Sequence, residues 1–149
     1  MLNIREALLS DVGDLQELYM RHLTQAPPKE PQDLDKWAAL LGRLIENPDY
    51  HLIVAEADGR AVSSVTLIVI ENLTHNLRPY SVIENVVTHP AFRNKGYATA
   101  LLERASEIAR ENNCYKIMLM TGSKLESTLR FYERCGFNMN EKTAFQKRL

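Results

Sequence analysis

The sequence predicts an α/β protein, and three observations carry that reading. Segments with strand patterning alternate with segments of helical periodicity along the chain. Two apolar runs, 51–57 and 61–70, are joined by Asp58-Gly59, a strong hairpin signal. Residues 81–87 form a β-branched apolar run that leads through a short basic turn into an amphipathic helix.

Residues 4–7 read as a short strand. Ser10 and Asp11 are good caps for a helix carrying Val12, Leu15, Leu18, Tyr19 and Leu23 on one side. The stretch 25–31 holds Pro27, Pro28 and Pro31, cannot be helical throughout, and reads as a loop. A second helix places Leu34, Trp37, Leu40, Leu41, Leu44 and Ile45 on one face and ends at Asn47-Pro48. After the hairpin, 71–79 is a polar loop. Thr88, His89 and Pro90 stop the central strand, because proline cannot donate to a ladder. Ala98, Leu101, Leu102, Ala105, Ile108 and Ala109 then recur at helical spacing. Residues 115–121 read as another buried strand, Gly122-Ser123 as a turn, and a helix from about 126 stops at Gly136. One further strand is expected around 142–147.

A chain of 149 residues is expected to form one domain over 1–149, large enough for a real core. Its formal charge of −1 argues against broad attraction to nucleic acid or anionic membrane, while leaving room for a local basic site. The apolar run near 61–70 is too short to span a bilayer, and the N-terminus lacks the apolar core of a signal peptide. Cys114 and Cys135 have no metal-ligand spacing, so free thiols in a reducing cytoplasm, without a metal, are the expectation.

The joint between the central strand and its helix is the expected seat of chemistry. A helix start exposes about four unpaired N–H groups and a partial positive charge. In Arg93-Asn94-Lys95-Gly96-Tyr97-Ala98, glycine and a small residue permit close approach, and two cations add charge. Such a turn suits phosphate. One exposed contact contributes only ~0.3–1 kcal/mol, so several amides must converge on the anion. The turn has neither a Walker sequence nor three dinucleotide-type glycines. The pattern alone leaves the ligand open.

The segment RNKGYA at 93–98, between an apolar strand and an amphipathic helix, resembles the Q/R-x-x-G-x-G/A signature of the GNAT superfamily of acyl-CoA-dependent N-acetyltransferases. Phe131-Tyr132-Glu133-Arg134-Cys135-Gly136-Phe137 resembles the closing motif of the same superfamily. The resemblance is strongest over roughly 80–138. It implies a mixed, mostly antiparallel sheet of six to seven strands flanked by about four helices. It implies acetyl-CoA as acyl donor, held by the main chain of Val86 and Val87 along the pantetheine arm. It places the diphosphate on the amides of Arg93, Asn94, Lys95, Gly96, Tyr97, Ala98 and Thr99. The superfamily's usual asparagine falls on Leu125 here, with Ser127 or Thr128 as substitutes.

Acyl transfer from a thioester to an amine poses two proton problems. An alkyl amine of pKa near ~10.4 costs roughly 4.6 kcal/mol to populate as free base at pH 7, and the departing thiolate needs stabilising. Tyr132, a phenol protonated at neutral pH, is the candidate acid, and the resemblance puts the matching tyrosine near the thioester sulfur in many members. Glu84 is the candidate base, directly or through water, sharing a face with Val82 and Val86 if the strand is regular. Pairing with Arg78, Arg93 or a loop amide is the competing explanation for this carboxylate. His22, His51, His75 and His89 read as surface or loop residues, and nothing visible activates Cys135.

The leading expectation is thus an acetyl-CoA-dependent N-acetyltransferase acting on the primary amine of a small molecule. A protein or peptide acceptor and a non-catalytic CoA-binding sensor are the alternatives. By the resemblance, the first helices wall the acceptor pocket, with Trp37 the aromatic to watch there. Homodimerisation is common in the superfamily, though no feature of this sequence requires it.

Overall fold

The computed structural model describes residues 1–24, 30 and 32–149. Five strands form one sheet in the order β1 (Asn3–Glu6), β2 (Tyr50–Ala57), β3 (Arg60–Ile70), β4 (Tyr80–Thr88) and β5 (Ile117–Leu119). The first three pairings are antiparallel and β4 pairs with β5 in parallel. Asp58 and Gly59, at φ 52° and 74°, make the two-residue turn expected between β2 and β3.

Helices cover both faces. Helix α1 (Val12–Glu17) runs on as a π-helical stretch, Leu18–Leu23. With α2 (Leu34–Glu46), α1 covers the face that presents Leu52, Val54 and Ala61. The α2 cap is Asp33, whose carboxylate accepts from the N–H groups of Asp35 and Lys36 at 2.9 and 3.3 Å. α3 (Thr74–Leu77) is a single turn with left-handed backbone at His75, Asn76 and Leu77. α4 (Tyr97–Glu111) covers the opposite face, where Leu101, Leu102, Ala105 and Ile108 pack on Ile53, Val65, Leu67 and Ile83. α5 (Glu126–Arg134) adds Phe131 and Tyr132 to the edge of that cluster.

The expected architecture is present, with differences that have physical causes. Five strands occur among the described residues, where six to seven were expected. The segment 142–147 forms no strand, because it pairs with nothing and its side chains are exposed. The expected strand over 115–121 shrinks to three residues. On α2 only Leu41 is buried, and Leu34, Leu40 and Ile45 stay exposed. Of the loop expected over 25–31, all but Glu30 lies outside the described residues. No helix among the described residues is long and apolar enough to cross a membrane.

Candidate active site

The site is built where β4 leaves its neighbours. Opposite β3, Glu84 pairs with Thr66 and Val87 with Ser64, so Asn85 and Val86 together face Val65 alone. This is a β-bulge, and Asn85 takes it at φ 55°, a left-handed conformation that asparagine tolerates. The extra residue changes the phase of the strand. Ile83 and Val86 both pack against the core beneath α4, and Glu84 stays exposed on the other side. The regular strand assumed for Glu84 is therefore corrected: Val82 shares its face, but Val86 does not. Pairing with β5 ends at Ile83 and Leu119, so the rest of β4 has no strand partner on that side among the described residues. An open main-chain edge runs from the bulge toward Thr88.

The edge ends at the basic turn. His89 caps a short 3-10 turn, its Nδ1 accepting from the N–H of Ala91 at 3.2 Å. Arg93 Nε donates to the carbonyl of Thr88 at 3.2 Å, folding the guanidinium back over the strand end. Asn94 and Gly96 then take φ 59° and 84°. Gly96 starts α4 with no side-chain cap. Among the described residues, the N–H groups of Asn94, Lys95, Gly96, Tyr97, Ala98 and Thr99 donate to no protein acceptor. Alternating backbone conformations with unpaired N–H groups make an anion-binding concavity. A Cβ built on Gly96 would meet no protein atom within 4 Å, so the space before these amides is open. Lys95 Nζ lies 5.1 Å from the Phe92 ring centroid, and neither Lys95 nor Arg93 pairs with a carboxylate among the described residues.

Tyr132 is fixed by the way α5 stops. Gly136, at φ 92°, lets its own N–H reach the carbonyl of Glu133 at 2.9 Å. The N–H of Phe137 reaches the carbonyl of Tyr132 at 3.1 Å. This is a Schellman stop, completed by apolar contact between the third-last helical residue and the residue after glycine. Here those residues are Tyr132 and Phe137, with ring centroids 6.3 Å apart. Cys135 lies beside Thr99 in the first turn of α4, bringing the end of α5 to the start of α4. The Tyr132 hydroxyl forms no hydrogen bond among the described residues. Burial, with a smaller effect of nearby Cys135, pushes its pKa above the ordinary phenol value. The group stays a proton donor.

Glu84 is free of the pairing that competed with a chemical role. Arg78 donates to the carbonyls of Asn113 and Cys114, both at 3.2 Å, and Arg93 to Thr88. Neither touches Glu84. Leu125 precedes α5 without a side-chain cap. Of its two substitutes, Thr128 is bonded to Ser123 at 3.1 Å, whereas the Ser127 hydroxyl has no partner among the described residues. Trp37 is half-buried, 6.2 Å from the Tyr19 ring. Cys114 and Cys135 are free thiols whose pKa values burial pushes upward, so neither is activated.

Sequence reasoning missed a group of buried hydroxyls on β3, one of them cross-strand from Glu84. Ser64 and Thr66 are fully buried on β3, and Tyr19 Oη lies 3.4 Å from Ser64 Oγ. Thr66, cross-strand from Glu84, has an Oγ1 without a hydrogen-bond partner among the described residues. Polar residues inside the apolar run 61–70 were the available signal. His89 lies in the loop after β4, as read, whereas His22 lies on the π-helical stretch; both are part-buried, with ring centroids 4.8 Å apart. Two partly open cavities, near 210 and 230 Å³, are lined by residues other than Glu84, Gly96 and Tyr132.

The fold is a mostly antiparallel sheet with helices on both faces. The chain belongs to the acetyltransferase (GNAT) family, whose sequence profile matches residues 12–137. It is 33% identical over 143 residues to a glucosamine 6-phosphate N-acetyltransferase of Trypanosoma brucei brucei, covering 95% of this chain and 92% of that protein. Among solved structures, a putative acetyltransferase from Agrobacterium tumefaciens is 38% identical and superposes with a TM-score of 0.89, each chain covered to 99%. The glucosamine-6-phosphate N-acetyltransferase of Arabidopsis thaliana shares the fold, with a TM-score of 0.83 at 20% identity over 99% of this chain and 98% of that one.

Proposed function

We propose that this chain moves the acetyl group of acetyl-CoA directly to the primary amine of a small polar molecule. The observation that carries the reading is the run of unpaired amides from Asn94 to Thr99, at the end of an open β4 edge and beside the helix that bears Tyr132. The amides of Asn94 to Thr99 take the diphosphate, the Arg93 N–H expected among them being donated instead to the Pro90 carbonyl at 3.3 Å, and Arg93 and Lys95 add charge. The pantetheine arm lies along Val86 and Val87 in place of the missing strand partner. Ser127 supplies the polar contact that Leu125 does not.

Glu84 takes a proton from the acceptor ammonium, directly or through water, and the freed amine attacks the thioester carbonyl. As the carbon–sulfur bond breaks, the Tyr132 phenol gives its proton to the leaving thiolate. The products are the N-acetylated amine and CoA. A relative that matches nearly the whole chain is named for glucosamine 6-phosphate, which supports a small, hydroxylated amine as the acceptor class.

A thiol-release assay with acetyl-CoA and a panel of amines tests this. Glucosamine 6-phosphate, simple amino alcohols and a lysine peptide belong in the panel. Free thiol with a small amine and little with the peptide is the expected result. Binding of acetyl-CoA without thiol release from any amine would favour a sensor and overturn the reading.

A further inference from the structure

We propose that Glu17, His22 and His89 form a site for a divalent transition-metal ion of the zinc type, tying the π-helical end of α1 to the turn after β4. These residues lie far apart in sequence, yet each offers a ligand atom, and all three atoms lie within 4.8 Å of one another. The two imidazoles stand 4.8 Å apart between centroids, at 73° to each other. Two histidines on one tetrahedral zinc, with Zn–N bonds of about 2.0–2.1 Å, hold their ring centres roughly 5 Å apart. The rings therefore already have the required separation.

A second observation points to a ligand. His22 Nε2 is buried from solvent and has no hydrogen-bond partner among the described residues. A buried nitrogen without a partner is costly, and coordination would satisfy it. Glu17 uses Oε2 on Arg60 at 2.8 Å, leaving its other oxygen for an ion. His89 uses Nδ1 on the N–H of Ala91 at 3.2 Å, so Nε2 is its ligand atom. Binding there moves the imidazole proton to Nδ1 and gives up that long contact. Closing the triad to ligand spacings of about 3.3 Å requires the side chains to draw in by roughly 1.5 Å.

Two neutral imidazoles and one carboxylate suit zinc, cobalt or nickel and offer too few oxygens for calcium or magnesium. Arg21 and Arg93 act on His22 from nearby and oppose a cation, which keeps affinity below that of a closed four-ligand centre. Three protein ligands leave one position for water. The site stands four residues before Arg93 and is independent of the acceptor reading.

The test is calorimetric titration of the chelator-treated, full-length protein with zinc chloride. The expected result is one saturable equivalent, weakened at least tenfold in His22→Gln and in His89→Gln. His51→Gln serves as control, because its Nε2 is equally buried yet lies outside the triad. Magnesium should not bind. Cobalt(II) needs no variant: the wild-type protein should develop the visible bands of a four-coordinate ion, and zinc should abolish them. Lack of saturable zinc uptake by the wild type would overturn the proposal, as would equal affinity in both histidine variants or an octahedral cobalt spectrum.

Discussion

Packing keeps the Tyr132 phenol protonated, as its proposed role requires. Its ring contacts Phe131 and Phe137, its hydroxyl has no partner among the described residues, and burial raises its pKa. A phenol with a raised pKa stays protonated up to and beyond its ordinary value of ~10. Turnover should therefore show no alkaline loss from this group below about pH 10, which a pH–rate profile would check. Tyr132→Phe should lower kcat by about 10²–10⁴ with little change in acetyl-CoA affinity, measured at saturating substrates. Glu84→Gln should lower kcat/KM by about 10² at pH 7 and spare CoA binding. Tyr132 was legible in the sequence because its neighbours carry a motif. Tyr19, Thr66, His22 and His89 were not, because only tertiary folding brings them to Glu84 or to each other.

Two glycines and one asparagine set the geometry of the elements that carry these residues. Gly96 opens α4 in a left-handed conformation with empty space before it. Gly96→Glu adds backbone strain and places a carboxylate where a diphosphate would lie. Acetyl-CoA affinity should fall at least a hundredfold while the circular dichroism spectrum is retained. Gly136 at φ 92° holds the stop that positions Tyr132, and a Cβ there strains the backbone without a steric clash. Gly136→Ala should cost about 1–2 kcal/mol. That loss should lower Tm by about 2–8 °C, read by differential scanning calorimetry. Helix α4, the hairpin and the Gly136 stop were readable because spacing and turn chemistry specify them locally. The bulge at Asn85 was not, since asparagine in an apolar run fits a regular strand equally well. The segment 142–147 has strand-like composition, but strand formation also needs a partner edge, which composition does not reveal.

Across the whole molecule, one charge network ties the first strand to the rest. Arg5 bonds Asp11 through two nitrogens at 2.8 and 2.9 Å and Glu56 on β2 at 2.8 Å. Burial pushes the Asp11 carboxyl upward in pKa, but the Arg5 bonds and the Leu8 N–H outweigh it and hold the pKa below its ordinary value. A depressed carboxylate contributes stability above its unfolded pKa and loses it as pH falls through the folded value. Acid unfolding should therefore steepen below about pH 4. Asp11→Asn should destabilise the protein at pH 7 by about 2–3 kcal/mol and flatten that acid limb, measured by urea titration across pH. The sequence marked Asp11 as a helix cap, yet its carboxylate makes no capping bond to α1 and goes to Arg5 and the Leu8 N–H instead. Its larger role depends on β1 pairing with β2, a contact between segments some fifty residues apart.

The amides before and within the first turn of α4 are the proposed seat of the cofactor's diphosphate. An ¹⁵N-resolved NMR titration with acetyl-CoA observes them directly. The largest shift changes should fall on Asn94, Lys95, Gly96, Tyr97, Ala98 and Thr99, followed by Val86 and Val87, and all should vanish in Gly96→Glu. Saturable shifts confined to another surface, such as the hairpin at Asp58 and Gly59, with the amides of 94–99 unmoved, would contradict this placement.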